Sequence, residues 1–175
     1  MNNVISLVDG KQAEIIEDQW LLLPQAEVDD YLLEETKRSL EHVILPLECC
    51  LAENNSLPVD NVTAVSISND TEINLLKPWL DQLSLIVLDF PKFTDGRAYT
   101  QAVELRRHYG WQGDIRANGD VLRDQLSHMH RCGFSSFAIR EDKDAHQAIK
   151  GLAGISILYA NSTLEPEPLF RRRLP

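Results

Sequence analysis

The run Leu85-Ile86-Val87-Leu88-Asp89-Phe90 most narrows what this chain can fold into. A strand with one solvated face alternates apolar and polar residues. A near-continuous apolar run suits a strand covered on both faces, as in a parallel sheet joined by helical crossovers. The sequence around it repeats that logic. Val62 to Ile67 reads as a strand, and Thr71 to Leu83 as a helix capped by Asn69-Asp70 and bent or divided at Pro78. Ala98 to Tyr109 reads as a helix with Arg106, Arg107 and His108 in its last turn and Gly110 as its stop. Then come a strand at Asp114 to Ala117, a helix from Asp120 to Arg131 closed by Gly133, a strand at Phe134 to Ile139, a helix at Lys143 to Leu152 and a strand at Ile155 to Tyr159. This alternation predicts an α/β fold: a mainly parallel sheet of about five βα units with right-handed crossovers. It fits an open sheet or a partial βα-barrel, and in both, sites gather where parallel strands end.

The first 60 residues have a different character. Val4 to Leu7 and Ala13 to Ile16 read as two short strands, a hairpin turning at Asp9-Gly10-Lys11. Trp20 to Leu23 stops at Pro24, Val28 to Leu40 and Leu45 to Ala52 have helical composition, and Asn54-Asn55-Ser56 with Pro58 break the chain. The expected organisation is one domain over 1–175: a short N-terminal β/α extension at 1–60, a βα core at 61–160 and a tail at 161–175.

Charge excludes some functions. With 17 basic and 27 acidic residues the net charge is −10, which opposes general nucleic-acid binding and adhesion to anionic membranes. The sequence contains no apolar stretch long enough to span a bilayer and no evident signal peptide. Three cysteines, Cys49, Cys50 and Cys132, fit reduced thiols in the cytoplasm. Motifs for nucleotide loops, a nucleophile elbow or a Cys-x-x-Cys pair are missing. Four of the five histidines, His108, His128, His130 and His146, lie on predicted helices without convergent metal-ligand spacing, so no metal is expected.

Two segments offer chemistry. The first, Phe90 to Tyr99, comes after the most apolar strand and precedes a helix; it supplies Lys92 and Arg97 as cations, Asp95 as an acid and Gly96 as a flexible point. The second, Arg116 to Gln125, holds the same place after the next strand and supplies Arg116, Asp120, Arg123, Asp124 and Gln125. Adjacent βα loops of a parallel sheet are neighbours, so these residues can form one polar cluster. Lys92, Arg97, Arg116 and Arg123 would then bind an anion, with Asp95, Asp120 or Asp124 as acid or base. The structural alternative makes Asp95 and Asp120 helix caps, Arg97 a carboxylate partner and Asp124 a solvated helix residue. Arg171, Arg172 and Arg173 in the tail read either as a solvated basic end or as an anion or partner contact, and Leu169-Phe170 beside them as a docking element.

The run Phe90-Pro91-Lys92-Phe93-Thr94-Asp95-Gly96-Arg97, then Gly119 to Gln125, Arg131-Cys132-Gly133-Phe134 and Pro168 to Arg173, resembles the bacterial DUF934 family, most strongly over 85–140. Where members usually carry a second glycine this chain has Ala98, and where they often carry aspartate it has Ser135. The resemblance implies assimilatory sulfite reduction, within cysteine biosynthesis. The expected role is an accessory protein that binds sulfite reductase or its electron donor, or an oxidoreductase of that pathway. It does not specify a cofactor. An enzyme acting on a small anionic or phosphorylated metabolite at Asp95, Arg97 and Asp124 is the alternative.

Overall fold

The computed structural model describes residues 3–8, 12–34, 40, 42–51, 62–153 and 159–172. Among them, eight strands form one sheet: β1 (Val4–Val8), β2 (Gln12–Ile16), β3 (Leu21–Leu22), β4 (Val43–Pro46), β5 (Ala64–Ile67), β6 (Leu85–Phe90), β7 (Asp114–Gly119) and β8 (Ser136–Ala138). The order across it is β2-β1-β8-β7-β6-β5-β4-β3, parallel from β3 to β8, with β1 antiparallel to both β8 and β2. The helices are α1 (Val28–Glu34), α2 (Leu47–Leu51), α3 (Arg97–Arg107), α4 (Leu126–Cys132), α5 (Ala145–Ala148) and α6 (Leu169–Arg172).

The strand order settles the choice left open by the pattern. From β3 to β8 each strand lies beside its predecessor and the order never reverses. Right-handed crossovers that always advance in one direction place the helices between successive strands on one side of the sheet, as α3 lies against β6 among the described residues. The sheet then curls as a half-barrel with its helices outside. Chain length makes the same point. The edge strands β2 and β3 are joined by Glu17 to Trp20 alone, five steps from Ile16 to Leu21. Five steps reach about 18 Å at most. Eight strands laid flat would hold those edges about 34 Å apart, at roughly 4.8 Å per gap. The sheet must therefore roll up.

Each face of the sheet has its own core. Ile86, Leu88 and Phe90 of β6 point outward into the main cluster, against Ala98, Ala102 and Leu105 of α3, all fully buried. Burying each large apolar side chain stabilises the fold by about 1.5–3 kcal/mol. Phe90 also meets Tyr99 edge-on at 5.1 Å between ring centres. Leu85 and Val87 point the other way, joining Ile44 and Ala64 in a smaller inner cluster that Trp20 and Leu22 pack against. The Glu17–Trp20 connection thus runs along the inner face.

Several expectations need correction. The described residues form eight strands rather than about five; the sheet is mainly parallel as expected, with β1 antiparallel to both of its neighbours. The N-terminal segment is part of that sheet: β1 and β2 extend one edge, β3 and β4 the other. Leu45 and Pro46 end strand β4, and the helix after them spans only Leu47–Leu51. The run 71–83 makes a 3-10 turn at Ile73–Leu76 and then hydrogen-bonded turns, because Pro78 cannot donate to a helical ladder. The segment after β7 is a 3-10 turn, Arg123–Gln125, leading into α4, so Asp120 lies before the helix and does not cap it. Lys143 to Leu152 begins its helix at Ala145, capped by Asp144, whose carboxylate accepts from His146 N–H at 2.8 Å, and tightens into a 3-10 turn at Ile149–Leu152. The helix read over 98–109 forms as α3 and ends two residues earlier, at Arg107, and Gly133 closes α4 as read, in the left-handed region. The hairpin turn at 9–11, the helix end at 35–39, the breaker at 54–58 and most of the strand at 155–159 lie outside the described residues.

Candidate functional site

Parallel strands β3 to β7 end along one rim, and the expected site residues divide around it. Arg97 opens α3. Its guanidinium forms a fork with Asp95 (Nη2 to Oδ2 at 2.6 Å, Nε to Oδ1 at 3.0 Å) and also pairs with Asp70. Asp95 accepts in addition from the Arg97 backbone N–H at 3.2 Å and from Asn69 Nδ2 at 2.7 Å. This is the carboxylate-partner reading of Arg97. Gly96 has an ordinary φ of −94°, so its freedom is not used there. Lys92 is exposed in the same loop.

Asp120 belongs to a second group. Its Oδ2 accepts from Phe93 N–H at 2.8 Å, tying the loop after β7 to the loop after β6, and its Oδ1 accepts from Arg140 Nη1 at 2.7 Å. Arg140 also grips Asp142 at 2.6 and 3.0 Å, which with Lys143 holds the Asp142 carboxyl down at about 2. The same two carboxylates push the Arg140 guanidinium above its usual range. The loops after β6, β7 and β8 are thereby joined through side chains.

Arg116 is elsewhere again. On the inner face of β7 it is 4% exposed, and its Nη1 donates to both carboxylate oxygens of Asp18, 2% exposed, at 3.0 and 3.1 Å. Its Nε donates to Ser136 Oγ at 3.3 Å, and Ser136 donates to Asp114. Arg116 therefore fastens the Glu17–Trp20 connection inside the half-barrel. Arg123 and Asp124 are exposed and line a separate hollow with Lys143, Asp144 and Gln147 on the helical side. Gln125 is buried, its Oε1 accepting from Leu122 N–H at 2.9 Å. Asp95 and Arg97 touch each other, but neither shares a contact or a hollow with Asp124.

In the tail, α6 carries Leu169 half-buried, with Phe170 exposed beside Tyr159 at 6.3 Å. Arg171 lies 5.9 Å over the Phe170 ring and Arg172 pairs with Glu165 at 2.7 Å; Arg173 lies outside the described residues. The segment is anchored where Thr163 N–H donates to the Arg131 carbonyl and Arg107 to the Ser162 carbonyl. Burial pushes the Cys132 thiol up, and Cys50 to about 11, so neither is activated as a thiolate. Among the described residues, no three His, Cys, Asp or Glu side chains are grouped to hold a metal, and no helix is long and apolar enough to cross a membrane.

Two clefts near the strand ends are lined by residues outside the expected set. A cleft of about 540 Å³ opens where β3 to β7 end, walled by Leu22, Pro46, Ser66, Val87, Asp89 and Asn118, with Glu48 at its edge. A second cleft of about 550 Å³ shares Asn118 and runs along Gly119 and Arg140 to Asp142. Asp89 is the penultimate residue of β6 and, by alternation with Leu85 and Val87, faces inward. Burial raises its carboxyl above the usual aspartate range, against the pull of Asn118 and the Phe90 amide. One sequence signal identifies it: it is the lone charged residue in the apolar run Leu85–Phe90. Asp18 and Arg140 had no such signal, because their partners lie 98 and 20 residues away.

A family model described as "Bacterial protein of unknown function (DUF934)" matches residues 64–170. No curated protein matches the chain. The chain belongs to the DUF934 family.

Proposed function

We propose that this member of the DUF934 family serves assimilatory sulfite reduction in the cytoplasm as an accessory protein. It would dock on sulfite reductase or its electron donor rather than turn over a small anion. The pathway rests on the family resemblance of the loop and tail motifs. Docking is favoured over turnover by one observation: Arg97 and Arg116, the central cations of the expected anion site, are already neutralised by Asp95 with Asp70 and by Asp18. A sulfite or phosphate ion at either arginine must displace carboxylates already in place. The net charge of −10 repels small anions at long range, while the same field speeds encounter with a basic protein partner.

Growth of a deletion strain on sulfate, sulfite, sulfide or cysteine as sole sulfur source tests the pathway. Failure on sulfate and sulfite, with growth on sulfide and cysteine, is the expected result. Normal growth on all four contradicts it. Arg97→Ala is expected to complement the deletion, because Arg97 is an exposed partner of two carboxylates. If it folds but does not complement, chemistry on an anion at the Asp95–Arg97 pair alone becomes the better reading, since Asp124 lines a separate hollow.

A further inference from the structure

We infer that the inner-face cleft where β3 to β7 end is a binding site for a small organic cation. The ligand would present an ammonium or similar N–H donor group to Asp89 and an apolar portion to Leu22, Pro46 and Val87. This inference does not depend on the sulfite reading.

The state of Asp89 carries the argument. Around the rim, Asp95, Asp120 and Asp142 each hold an arginine, and Asp18 holds another beneath. Asp89 has no ion pair among the described residues. Its partners are the amide of the next residue, Phe90, and the Asn118 side chain, whose Nδ2 stands 3.5 Å from Oδ1, at the outer limit of a hydrogen bond. A carboxylate has about four acceptor positions, so acceptor capacity remains directed at the cleft. Holding a half-buried, unpaired carboxylate costs stability, and a cation seated beside it would remove that cost.

The lining selects the ligand's charge. Among the described residues no cation borders the cleft, whereas Glu48 adds a second carboxylate. Arg116 lies one layer deeper, opposite Val87, and its charge is spent on Asp18. An anion would therefore meet uncompensated repulsion. A metal ion fits poorly, since Asp89 and Glu48 are not joined by a third strong ligand among the described residues. The walls are apolar on the β3, β4 and β6 sides and polar at Ser66 and Asn118. A volume of about 540 Å³ falls within the range that encloses small organic ligands. The position is where barrel-type α/β folds place their ligands.

The test uses the full chain, isotope-labelled, titrated with three probes of one shape: benzylamine, benzyl alcohol and benzoate. Benzylamine is expected to shift the Asn118 side-chain amide and the backbone amides of Val87, Asp89 and Phe90 saturably. Benzyl alcohol should bind at least tenfold more weakly and benzoate not at all. Asp89→Asn should weaken benzylamine at least tenfold, with spectral dispersion confirming the fold. Asp95→Asn, which removes the same unit of charge from the rim, should leave it unchanged. Equal binding of benzoate, equal loss in both variants, shifts confined to another surface, or no saturable shift with benzylamine would each overturn the assignment.

Discussion

At the scale of single residues, Asp89 and Gly119 are coupled across β6 and β7. Because burial raises the Asp89 carboxyl, the folded state binds more protons than the unfolded one between the ordinary aspartate value and the raised one. Stability therefore falls as pH rises through that window and stays lower above it. Asp89→Asn is expected to raise the thermal midpoint at pH 7, and the two proteins should converge below about pH 4. Thermal melts across pH check this; a midpoint lowered at pH 7 would mean that the carboxylate has a stabilising partner. Gly119 sits at φ 95°, where a Cβ would fall against the Phe90 carbonyl and 2.9 Å from Asp89 Oδ1. Gly119→Ala should cost roughly 1–3 kcal/mol in urea unfolding. A neutral result would contradict the close approach of these strands. Gly119 was legible as part of a loop motif, but its reason was not, because the clash involves a residue on another strand.

At the scale of elements, the sequence predicts strands and helices well where the apolar period is long, as in β6 and α3. It misplaces them where short elements obey tertiary demands. Leu45 and Pro46 share the helical composition of the run to Ala52, yet β5 needs a parallel neighbour and takes them as strand. Asp120 looks like a cap, yet its carboxylate instead binds Phe93 N–H and Arg140, contacts made across the rim. The connection between β2 and β3 is the element most dependent on one ion pair. Removing a single partner of a buried pair typically costs about 3–5 kcal/mol, because the other charge is left unpaired. Asp18→Ala is expected to lose that much in urea unfolding, and Asp18→Leu with Arg116→Met to recover most of it. A loss below about 1 kcal/mol in the single variant would show that Asp18 does not anchor the connection.

At the scale of the molecule, the α/β class and the site rim were legible, and the curl was not. The curl depends on β1 and β2 returning to β8 while β3 lies at the far edge, and strand partners so distant leave no local pattern. The region matched to the family, 64–170, contains β5 to β8 but lacks β1, which pairs with β8, and Asp18, which neutralises Arg116. A fragment of residues 64–175 is therefore expected to give a poorly dispersed amide spectrum and no cooperative urea transition. A well-dispersed spectrum would mean that the N-terminal strands are dispensable. The most direct test of the accessory role is sulfite-dependent reductant consumption in extracts of the deletion strain, with and without the purified chain. Low activity is expected, restored by adding a chain that consumes nothing alone. Equal activity in deleted and normal extracts, or turnover by the purified chain alone, would contradict it.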